Sequence, residues 1–85
     1  MATIQERAPF RFPMTPQELV GKNVRMYRER LGVSQEAFAD LARLHRTYIT
    51  QVEQGKRNIT VESIFKLANG LKIEPYLLLI APDSK

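Results

Sequence analysis

The sequence predicts an all-α domain of five short helices, and three observations carry that reading. Helix-starting signatures recur at Thr15-Pro16-Gln17-Glu18, Ser34-Gln35-Glu36 and Thr60-Val61-Glu62. Apolar residues between them return every three or four positions, the period of a helix with one buried face. No stretch reads as a convincing strand.

Residues 1–14 have no helical period and contain prolines and phenylalanines, so they read as an extended arm with Arg7 and Arg11 as its basic residues. Helix one is expected over Pro16–Leu31. Thr15 is its cap, Val20, Val24, Tyr27 and Leu31 form its inward face, and Gly32 ends it. Ser34 caps helix two, with Phe38, Ala39, Leu41 and Ala42 inward. The small Ala39 is expected where two helix backbones approach closely. Arg43-Leu44-His45 is the turn, with Leu44 plugging the angle. Helix three is expected from Arg46 to Gln54, anchored by Ile49 and Val52 and ended by Gly55.

A basic loop, Lys56-Arg57-Asn58, leads to helix four, which is capped by Thr60 and expected to close near Asn69-Gly70. Its inward set is Val61, Ile64, Leu67, Ala68 and Leu71. Glu74-Pro75 opens a last helix, Tyr76–Ile80, which is apolar on every side. A monomer's surface helix needs only one apolar stripe. The segment is therefore expected to bury Tyr76, Leu77, Leu78 and Ile80 against a second copy; the alternative is that it caps the core from below. The organisation expected is an arm (1–14), one domain (15–81) and a tail (82–85).

The chain has 85 residues, 44 % of them hydrophobic and 26 % charged, the balance of a single globular domain. It has no cysteine, which excludes disulfides, thiolate zinc sites and a cysteine nucleophile. Its single histidine, the lack of a paired carboxylate site or phosphate loop, and the absence of metal-ligand spacing argue against an enzyme and against any metal or cofactor. Residues 1–20 lack the apolar core of a signal peptide, and the longest apolar run is too short to span a bilayer, so a cytoplasmic protein without membrane partners is expected.

The net charge is +4, and its location says more than its size. Lys22, Arg25, Arg28, Arg30, Arg43, Arg46, Lys56 and Arg57 face only Glu29, Glu36, Asp40 and Glu53 across residues 22–57. The whole positive excess therefore lies in the middle of the chain, which favours a polyanionic partner. Helices two and three with their short turn have the size of a helix-turn-helix unit, whose second helix fits the major groove of double-stranded DNA. Arg46, Thr47, Thr50, Gln51 and Gln54 fan across its outer face. Arginine can donate twice to guanine O6 and N7, glutamine can pair with adenine N6 and N7, and threonine can meet a thymine methyl or a phosphate. Gln35, Lys56, Arg57 and Asn58 are placed to hold phosphates.

Residues 20–73 resemble the Cro/lambda-repressor-type helix-turn-helix family, also called the xenobiotic-response-element family. The matching residues are Gly21, Val24, Arg25, Arg28, Gly32, Ser34-Gln35-Glu36, Phe38-Ala39, Tyr48-Ile49, Glu53, Gly55, Asn58, Leu67-Ala68 and Leu71. Within that family the chain is most similar to the controller proteins of restriction–modification systems. The resemblance implies a homodimer without an effector domain, made through the short final helix. It implies base contacts from Arg46, Thr47 and Gln51, with Thr50 beside them. Phosphate contacts are implied from Gln35 and Lys56–Asn58, and Ser34, Arg43 and Tyr48 are grouped with these. It also implies a structural ion pair between Arg28 and Glu53. Departures are Arg43 where glycine is usual, His45 as a helix cap, and Ile59 in place of proline.

The function expected is sequence-specific transcription regulation by a homodimer on a pseudo-palindromic operator, with RNA polymerase as a further candidate partner. Two competing expectations are a toxin–antitoxin antitoxin, whose arm would hold a partner protein, and a protein-interaction module that does not bind DNA.

Overall fold

The computed structural model describes residues 14–81; the arm up to residue 13 and the tail 82–85 lie outside the described residues. Four α-helices follow one another, α1 (Pro16–Leu31), α2 (Gln35–Ala42), α3 (Arg46–Glu53) and α4 (Val61–Leu71), before a short 3-10 helix η1 (Pro75–Leu79). The described residues contain no strand.

The caps do what their side-chain chemistry dictates. Thr15 Oγ1 accepts from the Glu18 backbone N–H at 3.1 Å while Glu18 accepts from the Thr15 N–H at 3.0 Å, closing a capping box. Ser34 and Thr60 cap α2 and α4 in the same way, accepting from the N–H groups of Ala37 and Ser63 at 3.0 Å. His45 makes no side-chain cap bond at α3. An eight-residue helix without a cap is marginal alone, so α3 depends on its tertiary contacts.

Several expectations change in the structure; Val61 and Leu41, expected to face inward, are 73 % and 46 % exposed. Of the five expected α-helices the last is a 3-10 helix, opened by Pro75 and held by i→i+3 bonds such as Leu77 N–H to Glu74 C=O at 3.0 Å. Helix α3 ends one residue early, with Gln54 as its C-cap. Helix α4 does not close at Asn69-Gly70 but continues to Leu71, and Lys72 takes the left-handed closing position at φ 62°. Gly70 is inside the helix because α2 presses on it. A Cβ there would lie 2.9 Å from the Cβ of Ala42, so the tight α2–α4 approach is at Ala42 and Gly70, although Ala39 is buried as expected.

A second close approach involves Gly21 in α1, where a Cβ would collide with the Val52 carbonyl oxygen at the end of α3. The core between these crossings comprises Val20, Val24, Phe38, Ile49, Val52, Ile64, Leu67 and Leu71, with Leu78 of η1 closing it from below. Leu78 is fully buried within this one chain, which removes it from the expected dimer interface.

Among the described residues, Asn23 is the one polar residue buried as a whole, at 1 % exposure. Its amide donates to the backbone carbonyls of Leu78 and Ile80, both at 2.9 Å, and so ties the last segment to α1. Asn23→Ala would leave two carbonyls without donors and is expected to cost about 1–3 kcal/mol in urea unfolding. An unchanged midpoint would show that water replaces the amide at no cost.

Candidate nucleic-acid interface

The outer face of α3 gathers Arg46, Thr47, Thr50, Gln51 and Gln54 around one shallow depression. Arg46 and Thr47 are exposed, while Thr50 and Gln51 are half-buried. Gln54 joins this set because it lies seven residues, nearly two turns, after Thr47. The inner face, Ile49 and Val52, is fully buried. Helix α3 is thus divided into an apolar anchor and a polar face with donors and acceptors directed outward.

What holds this helix is a buried ion pair. Arg28 in α1 donates to Glu53 at the end of α3 through Nε at 2.6 Å and Nη2 at 3.0 Å, a two-pronged contact. Its Nη1 donates to the Val33 carbonyl at 2.9 Å and so braces the α1–α2 connection. The two side chains are only 12 % and 4 % exposed. The hydrogen bond to Glu53 raises the Arg28 pKa above its ordinary value, outweighing the burial that lowers it, with the nearby carboxylates of Glu53 and Glu29 adding attraction.

Gln35 departs from the simple phosphate role expected of it, because its amide is engaged inside the protein. Its Nε2 donates to Glu53 at 3.0 Å, and its Oε1 accepts from the Thr50 hydroxyl at 2.9 Å. Among the described residues one amide hydrogen of Gln35 remains for a ligand. Ser34 is exposed, but its oxygen already serves as the cap of α2.

The basic surroundings are arranged by separate contacts. The Arg57 guanidinium lies over the Tyr48 ring, 4.8 Å from its centroid, and so sets the basic loop beside α3. Tyr48 itself is half-buried against the core. Gln17 donates through Nε2 to Asn58 Oδ1, holding the loop to the start of α1. Lys56, Arg57 and Asn58 are exposed. Arg43 occupies the left-handed position that closes α2, at φ 59°, with its side chain exposed. An arginine there costs about 1–2 kcal/mol in backbone energy relative to glycine.

The last segment presents a different surface from the one expected. Tyr76, Leu79 and Ile80 of the last segment, together with Val61 and Phe65 of α4, are between 49 % and 73 % exposed, while Leu77 is half-buried. Val61 and Leu79 line one apolar groove with Pro16, Val20, Ile59 and Ile64. Leu79, Val61 and Phe65 therefore belong to the exposed apolar surface, and Leu78 does not.

Two features lay beyond sequence reasoning. The one sequence signal for Asn23 is its place, a polar residue on the inward stripe of Val20, Val24 and Tyr27. The Gln35–Glu53–Thr50 bonds had no local signal at all. No helix among the described residues is long and apolar enough to cross a membrane, and no metal-ligating cluster occurs among them.

Comparison with known proteins agrees with this geometry. The model of a helix-turn-helix family matches residues 24–78. The control protein C.SmaI of Serratia marcescens is 43 % identical over 58 residues, covering 68 % of this chain and 69 % of that one. The crystal structure of the hypothetical transcription factor NHTF from Neisseria superimposes with a TM-score of 0.78 at 33 % identity, over 89 % of this chain and 90 % of that one. That of the restriction–modification controller protein C.AhdI from Aeromonas hydrophila gives 0.71 at 42 % identity, over 73 % and 94 %.

Proposed function

The chain belongs to the helix-turn-helix family of transcription regulators and is homologous to restriction–modification controller proteins, and from that premise we propose that it binds a specific DNA operator as a homodimer. The observation that carries the proposal is the outward face of α3, whose polar side chains share one depression on a helix locked from behind by Arg28 and Glu53. Arg46, Thr47, Thr50 and Gln51 read base edges in the major groove. Lys56, Arg57, Asn58, Arg43, Ser34, Tyr48 and the remaining amide hydrogen of Gln35 hold the phosphate backbone on either side.

The second copy covers Tyr76, Leu79, Ile80, Val61 and Phe65, with Leu77 at the margin. Five large apolar side chains this exposed on so small a domain favour a partner over solvent. A two-fold dimer presents its two α3 helices to successive major grooves about 34 Å apart, which calls for a pseudo-palindromic site. The protein acts by binding, without catalysis or a cofactor, in the cytoplasm.

A gel-shift titration on the chain's own upstream DNA at two salt concentrations tests the reading. Binding should weaken steeply with salt as condensed counterions return to the phosphates. Arg46→Ala is expected to lose about 1–3 kcal/mol on the specific site and to relax preference at one base position. Arg57→Ala should weaken all sequences alike and flatten the salt slope. Absence of any specific shift at low salt would sink the proposal, and uniform weakening by Arg46→Ala would move that residue to the phosphate set.

A further inference from the structure

The hydrogen bonds behind α3 run in one fixed sense, and that sense reaches the DNA-facing surface. Glu53 accepts from Arg28 on both carboxylate oxygens and from Gln35 on Oε1. A carboxylate only accepts, so the Gln35 amide must turn its nitrogen toward Glu53 and its oxygen away. The opposite rotamer would set oxygen against oxygen. Gln35 Oε1 therefore faces Thr50, and because it too only accepts, the Thr50 hydroxyl must be the donor in their 2.9 Å bond. A hydroxyl has one hydrogen. What Thr50 Oγ1 keeps for a ligand is lone pairs.

We propose that Thr50 is an acceptor-only reader of the major groove, selecting a base that presents an amino group, adenine through N6 or cytosine through N4, and that the Arg28–Glu53–Gln35 chain imposes this sense. The inference rests on the reading of α3 as the base-contacting helix. A threonine within a helix ordinarily rotates its hydroxyl onto the carbonyl four residues back and can turn to donate or accept as the ligand requires. Here the hydrogen is committed before DNA arrives. A thymine O4 or guanine O6 at the same place would meet lone pair with lone pair. Gln35 is a positioning residue for this choice, since it acts through Thr50.

The test is selection of bound duplexes from a randomised pool by the full-length protein and by the variants Thr50→Val, Thr50→Ser and Gln35→Met. The wild type should favour adenine or cytosine at one position of each half-site by roughly two- to tenfold, the worth of a single hydrogen bond. Thr50→Val keeps the side-chain shape and should abolish or reverse that preference while leaving the other positions intact. Thr50→Ser keeps the hydroxyl and should retain it. Gln35→Met frees the hydroxyl to donate, so guanine and thymine should become as acceptable there as adenine and cytosine.

A Thr50→Val profile identical to the wild type would overturn the proposal and leave the DNA-binding function standing. So would a Gln35→Met protein that still rejects guanine and thymine at the Thr50-dependent position. A wild type that enriches no sequence at all would overturn the parent reading together with this one. The two threonine variants change one exposed-face side chain and decide the acceptor role even where Gln35→Met proves unstable.

Discussion

Glu53→Ala is expected to lower folding stability by about 3–5 kcal/mol, the cost of stranding a buried charge when its partner is removed. Arg28 would keep its contact to the Val33 carbonyl but lose both bonds to the carboxylate. Gln35 would lose its acceptor as well, and with it the bond that orients Thr50. For a domain of this size such a loss is a large share of the total. Urea unfolding measures it. The sharper comparison is Arg28→Met with Glu53→Leu, which removes both charges and replaces them with apolar volume. That double variant should be several kcal/mol more stable than Glu53→Ala, because no charge is left buried and unpaired. Equal losses in the two proteins would mean that no stranded charge penalises Glu53→Ala and that the cost is the loss of the pair's own hydrogen bonds.

The second large effect separates two adjacent leucines. Leu78 is fully buried among core side chains, whereas Leu79 is more than half exposed beside Val61. Leu78→Asp would force a carboxylate into that core and is expected to cost more than about 4 kcal/mol, enough to leave the chain largely unfolded by circular dichroism. On the proposed dimer, Leu79→Asp should keep the helical spectrum and instead break self-association, seen in sedimentation as a monomer mass where the proposal expects a dimeric wild type. An undiminished dimer in Leu79→Asp would remove η1 from the interface. A folded Leu78→Asp would contradict its place in the core.

That pair also marks where sequence reasoning ran out. Tyr76-Leu77-Leu78-Leu79-Ile80 is apolar at every position, so no periodicity distinguishes the side that faces the core. The choice is made by Asn23, 55 residues away from Leu78, whose amide grips the segment through its carbonyls. Gly70 misled for a related reason. Glycine near a helix end usually marks its stop, but this one is needed where Ala42 presses on α4, and the stop falls to Lys72. The first helix, by contrast, was readable to both ends, because the Thr15–Glu18 box and Gly32 act within three or four residues of themselves.

Most of the candidate site was legible for the same local reason. Arg46, Thr47, Thr50 and Gln51 share a face at 100° per residue, and once Ile49 and Val52 are inward they must point outward. Gln54 was read onto that face as well, without being assigned a contact.

The sequence by itself thus determined the order of the helices, the side-chain caps that open α1, α2 and α4, the polar face of α3 and the concentration of positive charge around it. These depend on spacing and side-chain type within a few residues. Tertiary structure alone decided which leucine closes the core and which stays exposed. It also decided the direction of the hydrogen bonds from Arg28 through Glu53 and Gln35 to Thr50, whose members are separated by 25, 18 and 15 residues along the chain. A hydrogen-bonding side chain such as the Gln35 amide or the Thr50 hydroxyl can serve in either sense until its neighbour is in place, and here the neighbours come from different helices.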